Sequence, residues 1–307
     1  MDFRKLHYIL TIAEEGSINK AAQKLFIAQS SLSQFLKKYE LSLGYALFYR
    51  TRNGMQPTNA GIQFLAKARQ IINIYQDLQN DLIDMDELKS GNIRVGMSVN
   101  RSACTLPAVL PVFSRRYPNI VLDLVEGNSA FLETKLIEGT LDVAFFTLPL
   151  HHKKLHYEPI QNEEMLVATK KGHPLINKSH PPGKTGRRWI NIKDTEDIPY
   201  ILLKKGQRVR DFADEQFRIN KISPPIFLST FSPETALRLS ETGLAITFIP
   251  KSLTLYQKNM EYFSIGKDGT YRTLCLAYPN TKYIPKAVRA FSEVVKDTVC
   301  SLMQELA

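Results

Sequence analysis

The chain has 307 residues, 44% of them hydrophobic and 23% charged, a balance that fits a globular protein and excludes a disordered chain or a fibre. At roughly 100 to 200 residues per domain, this length implies two or three cores. No run approaches the roughly 18 to 20 apolar residues of a membrane span, and Arg4, Lys5 and His7 interrupt the start, so export is not expected.

A formal charge of +10 suggests a polyanionic partner, and its placement matters. Residues 1 to 70 carry 10 Lys/Arg against 4 Asp/Glu, and residues 170 to 221 carry 13 against 6. The first region suits a DNA contact surface, while the second needs its own explanation. Cys104, Cys275 and Cys300 lack zinc or redox spacing and read as structural thiols of a reducing cytoplasm.

Leu6, Ile9, Leu10 and Ala13 fall at helical spacing, and Gly16 ends that helix. Ser17 can cap a short second helix that buries Ala21, Ala22 and Leu25. Residues 29 to 43 give a third, with Leu32, Phe35, Leu36 and Tyr39 inward. Its other face carries Gln29, Ser30, Ser33, Gln34, Lys37 and Lys38, side chains that reach base edges and phosphates. Three helices with a tight turn before the third make a helix-turn-helix. Residues 46 to 50 and 55 to 58, around Asn53-Gly54, fit a two-stranded wing bearing Arg50 and Arg52.

Thr58 can cap a long helix running to about residue 88, along which Leu65, Ala68, Ile72, Tyr75, Leu82 and Met85 follow near-heptad spacing. One apolar stripe on a helix this long is best buried against a second copy, so the spacing predicts a homodimer. Lys89-Ser90-Gly91 then marks a linker.

Beyond it strands and helices alternate. Strands are expected at 93–98, 120–125, 141–146, 164–169, 200–203, 226–230, 244–249, 262–265 and 273–278. Helices are expected around Leu106 to Tyr117, Phe131 to Glu138 and Val209 to Phe217, after the Ser232-Pro233-Glu234 start signal, and at the end through Val288, Phe291, Val295 and Leu302. This predicts a mostly parallel α/β sheet arranged as two lobes with a crevice. Residues 177 to 188, rich in Lys, Pro and Gly, read as a surface loop.

No Ser/His/Asp, Cys/His or paired-carboxylate set stands out, so no enzyme is expected. His151, His152 and His156 lack a Cys or acidic partner at ligand spacing, so no metal is expected. Residues 91 to 96 have glycine spacing like that of a phosphate loop, but Met97-Ser98 stands where its Lys-Ser/Thr pair would be, and no cofactor is expected.

Residues 1 to 61 resemble the DNA-binding domain of LysR-type transcriptional regulators. The match lies in Leu6, Ala13-Glu14-Glu15-Gly16-Ser17-Ile18, Ala21-Ala22, Leu25, Gln29, Ser33, Glu40, Leu43-Gly44, Leu47-Phe48, Arg50, Thr58 and Ala60-Gly61. The second half is similar to the family in Ile93-Arg94-Val95-Gly96, Leu106-Pro107, Phe113, Tyr117-Pro118, Gly139, Leu141-Asp142, His173-Pro174-Leu175, Gly243 and Pro250. Ala28 and Ser30 depart from the family's usual Ser/Thr and Pro, which leaves the third helix without its usual side-chain cap.

The resemblance implies an α/β protein with an N-terminal all-α winged helix-turn-helix, a long linker helix, and a C-terminal two-lobed effector domain like periplasmic binding proteins. The expected spans are 1–58, 59–89 and 90–307, with lobe I at about 90–163 and 266–307 and lobe II at about 164–265. It implies a cytoplasmic, nucleoid-associated regulator that binds double-stranded promoter DNA as a dimer or tetramer, with RNA polymerase as a further candidate partner.

By the same resemblance, Gln29, Ser30, Ser33 and Gln34 contact base edges, while Lys37, Lys38, Arg50 and Arg52 hold phosphates. Ser98, Asn100, Arg101, Ser102, Thr147, Phe231, Thr247 and Phe248 would line the effector crevice. Arg101 with Lys204, Lys205 and Arg208 points to an anionic effector, against the alternative that these cations are simply solvated surface. An architectural DNA-binding protein with a ligand-free oligomerisation domain remains the alternative function.

Overall fold

Leu6, Ile9 and Leu10 recur every three or four residues, so α1 (Phe3–Glu15) buries one face, against α2 (Ile18–Lys24), α3 (Gln29–Leu43) and α4 (Asn59–Asp84). The computed structural model describes residues 3–51, 54–84, 91–152, 155–256, 259–279 and 284–305. The chain divides into two units, Met1–Asp86 with Glu138–Thr140, and Glu87–Ile137 with Leu141–Ala307.

In the first unit Ser17 caps α2, accepting from the Lys20 N–H at 3.5 Å, and Gly44 closes α3 in the left-handed region. Strands β1 (Phe48–Thr51) and β2 (Gly54–Pro57) form the antiparallel wing. The wing is tied at both ends: the Met55 N–H donates to Gly16 O at 2.7 Å, and Glu40 Oε1 accepts from the Leu47 and Phe48 N–H groups at 2.7 and 3.1 Å. Thr58 caps α4 by accepting from the Gly61 N–H at 2.9 Å, and its hydroxyl donates to Ala46 O at 2.7 Å. The backbone passes so close here that a Cβ on Gly61 would lie 2.0 Å from Leu47 O.

The second unit runs β3 (Gly91–Met97), α5 (Val99–Arg116), β4 (Ile120–Glu126), α6 (Ser129–Ile137), β5 (Val143–Thr147), β6 (His156–Lys170), β7 (Trp189–Ile190), β8 (Tyr200–Leu203), α7 (Arg208–Asn220), β9 (Ile226–Thr230), α8 (Pro233–Ser240), β10 (Thr247–Pro250), β11 (Met260–Ile265), β12 (Thr270–Tyr278) and α9 (Lys286–Glu305). The main sheet has the order β4-β3-β5-β12-β6-β11-β7, with β10 also on β6, while β8 and β9 pair separately.

The expectation of a mostly parallel sheet is corrected. The pairs of β3 with β4 and β5, of β11 with β7, and of β8 with β9 are parallel, but every pairing of β6, and that of β12 with β5, is antiparallel. The reason is β6, which at 15 residues is far longer than the six-residue strand expected there. Its first part pairs with the far end of β12 beside one core (Val95, Phe113, Leu276, Phe291), and its last part pairs with β10 and β11 beside another (Val167, Tyr200, Phe248, Phe263). Long strands that run from one lobe into the other make antiparallel neighbours, whereas crossover helices make parallel ones.

Candidate functional site

Two surfaces carry the exposed polar chemistry, one in each unit. In the first, α3 buries Leu32 and Leu36 and turns Gln29, Ser30, Gln34, Lys37 and Lys38 to solvent, with Ser33 half-buried. Arg50 reaches from the wing to donate to Ser33 Oγ at 3.2 Å, so wing and helix present one continuous polar face. Arg52 lies outside the described residues. The start of α3 has Ala28 at its N-cap with no side-chain cap bond, as the departure at that position predicts.

The apolar stripe on α4 is partly used within the chain. Leu65 and Ala68 are buried in the first unit's own core, Ile72 is half-buried against it, and Tyr75 stacks on Phe3 at 4.1 Å. Contrary to the heptad expectation, Leu65 and Ala68 do not face a partner, because α1 packs on that side of the helix. Among the described residues farther along, the exposed apolar ones are Ile74, Tyr75 and Leu78. Met85, and the side chain of Leu82, lie outside the described residues.

In the second unit a crevice of about 450 Å³ opens between the lobes. Helices α5, α6, α7 and α8 all begin on it, through Ser98 to Arg101, Asn128 and Ser129, Gln207 to Val209, and Ser232 and Pro233. Four positive dipole ends thus converge on one cavity. Ser98, Asn100, Arg101, Thr147 and Phe231 stand on its wall, as does Lys205.

Three residues expected there lie elsewhere. Ser102 is buried and bonds to Val99 O and to Glu126. The Thr247 hydroxyl is buried and donates to Ile201 O at 2.8 Å, and Phe248 stacks on Tyr200 inside the second lobe's core. The physical reason is depth. Ligand sites lie past the carboxyl ends of strands, and β10 reaches the crevice only at Pro250.

Two buried carboxylates, neither singled out from sequence, organise the crevice. Glu163, on β6, accepts from Arg101 Nη2 at 2.7 Å and from the Ser252 N–H at 3.3 Å, and Arg101 lies over the Phe145 ring. Burial pushes the Glu163 carboxyl up, but the Arg101 guanidinium and Ser252 outweigh it and hold the group below its ordinary value.

Glu133, on α6, is fully buried; it accepts from Arg208 Nη2 at 2.5 Å and from the His151 and His152 N–H groups at 2.8 and 2.9 Å. Arg208 Nη1 also lies 2.8 Å from His151 Nε2. Arg272 donates to Arg208 O and Leu148 O, and burial beside Arg208 lowers it to about 10. The signal missed in the sequence is a Glu beside Leu132 on an apolar helix face, and a Glu pair opening an apolar strand.

The second basic region is largely spent on internal contacts. Arg187 pairs with buried Glu164 at 3.2 Å, Arg188 Nε donates to Ser179 Oγ at 2.8 Å, Lys178 donates to Asp194 O at 3.0 Å, and Lys184 pairs with Asp268 at 2.8 Å. Burial pushes the Cys104 thiol on the crevice wall up, and that of Cys275 to about 12, so both are poor nucleophiles. Among the described residues there is no cluster of three or more His, Cys, Asp or Glu able to hold a metal ion, and no helix long and apolar enough to cross a membrane.

A winged helix-turn-helix unit joined to a two-lobed unit with a ligand-sized crevice defines a DNA-binding transcriptional regulator with an effector domain. Residues 3–62 match the bacterial regulatory helix-turn-helix proteins of the lysR family, and residues 86–300 match the LysR substrate binding domain. The chain belongs to the LysR family of transcriptional regulators.

It is 28% identical over 315 residues to the uncharacterized HTH-type transcriptional regulator YcgK of Bacillus subtilis, covering 99% of this chain and 97% of that one. It is 28% identical over 293 residues to AlsR of the same organism, covering 93% and 92%. Among solved structures it resembles a full-length OxyR from Pseudomonas aeruginosa that carries a cysteine-to-aspartate substitution, with a TM-score of 0.77, 22% identity and coverage of 96% and 95%. It also resembles full-length CbnR complexed with its target DNA, with a TM-score of 0.68, 22% identity and coverage of 97% and 100%. At these identities the structural likeness concerns the fold.

Proposed function

We propose that this regulator reads a dyad-symmetric promoter site through α3 and the wing, and alters transcription when a small anionic effector enters the crevice. Gln29, Ser30, Ser33 and Gln34 contact base edges, and Lys37, Lys38, Arg50 and Arg52 contact phosphates. The observation that carries this reading is the single exposed face of α3, where amides and hydroxyls at the start give way to cations and are joined by Arg50 from the wing.

Two copies join along the open stretch of α4 through Ile74 and Leu78. Strand β9 offers a second apolar surface in Ile226, Phe227 and Leu228, which takes the dimer to a tetramer. The protein acts in the cytoplasm, with RNA polymerase as its partner at the promoter.

The anionic class is supported by the four helix N-termini and by exposed Lys205. Arg101 and Arg208 supply charge only when the effector competes with Glu163 and Glu133, so binding is coupled to rearrangement of the lobes. Selection of genomic fragments by the full-length protein tests the DNA reading, with enrichment of a dyad-symmetric site expected and diffuse, salt-sensitive binding contradicting it. Thermal shift against panels of anionic, neutral and cationic metabolites tests the effector class; stabilisation by neutral or cationic compounds alone would contradict it.

A further inference from the structure

The turn between α2 and α3 contains a residue whose conformation and exposure both work against the folded chain. The Ile27 N–H donates to Ala22 O at 3.0 Å and the Phe26 N–H to Gln23 O at 3.1 Å, the paired bonds of a Schellman helix ending. That ending puts its C′ residue in the left-handed region, where glycine, or sometimes asparagine, is at ease. The residue here is Phe26, at φ 55°.

Its neighbour Ile27 packs onto the first unit's core, yet the Phe26 ring is 96% exposed and has no aromatic or cationic ring contact among the described residues. An exposed apolar side chain alone is common. One held on strained backbone, where glycine would complete the same turn, is not explained by the fold of the free chain.

The ring's place indicates its occupant. Phe26 lies two residues before Ala28, the N-cap of α3, and so within about 7 Å of chain from the helix start. The first residues of a recognition helix meet base edges in the major groove. The exposed side chains nearest it, over the first ten residues of α3, are polar or cationic, namely Gln29, Ser30, Ser31, Gln34, Lys37 and Lys38, and exposed apolar residues return only at the far end with Leu41 and Leu43. The complementary surface is therefore polyanionic, with an apolar feature at the helix start. In the major groove that feature is the C5-methyl of thymine.

We infer that Phe26 is a specificity-determining residue that packs against a thymine methyl group in each half-site, an assignment that rests on the DNA-binding reading above. The left-handed turn holds the ring out of the protein and ready for the groove, so little ordering is left to binding.

The test uses the full-length protein and its selected DNA site, with each thymine replaced in turn by deoxyuridine, which removes only the methyl. Wild-type affinity is expected to fall about fourfold per half-site at one symmetry-related thymine, the factor one buried methyl contributes. Phe26→Gly, which suits the turn, is expected to bind the thymine and deoxyuridine sites equally and to accept other bases at that position while keeping the rest of the site. Wild-type binding indifferent to every deoxyuridine overturns the inference whatever the variant does. A Phe26→Gly variant that still discriminates thymine from deoxyuridine, or that weakens uniformly on all sequences, also overturns it. If the wild type selects no site at all, the DNA reading itself fails, an outcome distinct from these.

Discussion

Arg208, at the start of α7 in the second lobe, donates to the buried carboxylate of Glu133 on α6 in the first lobe, 75 residues away in sequence, at 2.5 Å. The lobes are thus latched by a desolvated ion pair, and Glu133 is further satisfied by two backbone N–H groups. Removing one member of such a pair strands the other in low dielectric. Arg208→Met is expected to cost about 3 to 5 kcal/mol in equilibrium denaturation. The double variant Arg208→Met/Glu133→Gln is expected to lose clearly less, because no charge is then left unpaired. Strict additivity of the two single changes would show that the residues do not interact.

Acid should act on the other buried ion pair beside the crevice, Arg101 with Glu163. The carboxyl of Glu163 lies below its ordinary value of 4.5, so the folded protein binds this proton less readily than the unfolded chain. Its contribution is complete above the unfolded value and is lost as the pH falls through the lowered one. Thermal stability is expected to be insensitive to this group from about pH 5 upward and to decline below about pH 4. Glu163→Gln should flatten that decline, and an identical acid limb in the variant would assign it to other carboxylates.

Gly61 is required by a close approach. A methyl group there would sit 2.0 Å from Leu47 O, and backbone cannot yield as a flexible side chain can. Gly61→Ala is expected to destabilise the first unit by about 1 to 3 kcal/mol and to weaken DNA binding by displacing the wing. Circular dichroism melting checks the first effect and fluorescence anisotropy the second.

Phe26→Gly should behave in the opposite way. The ring buries nothing, and its left-handed backbone costs a non-glycine residue about 1 to 2 kcal/mol, offset in part by the greater freedom of glycine when unfolded. The free protein is expected to melt at the same temperature or slightly higher. A marked drop would reveal a structural role for the ring.

What the sequence disclosed follows the range of the forces involved. Helical and strand periods, the caps at Ser17, Thr58 and Ser232, and the glycine stops at Gly16 and Gly44 are local signals, and the structure realises them. The face of α3 could be read because Leu32 and Leu36 fix which side is buried. The direction of the sheet could not, because it depends on the length of β6 and on which strands cross between lobes. Thr247 and Phe248 lie below the crevice for a related reason: depth along a strand has no signature in local pattern. The pairs Arg101 with Glu163 and Arg208 with Glu133 join residues 62 and 75 positions apart, and only the fold brings them together.

The most direct test of the account is the ratio of specific to non-specific DNA affinity for the full-length protein, compared with its Gln29→Ala/Gln34→Ala variant across a range of salt. Each bidentate amide contact to a base contributes about 1 to 3 kcal/mol of discrimination, so the variant should lose at least about tenfold in this ratio per half-site. Its salt dependence should be unchanged, because the phosphate contacts proposed for Lys37, Lys38 and Arg50 are left intact. An unaltered ratio in the double variant would contradict base reading by α3.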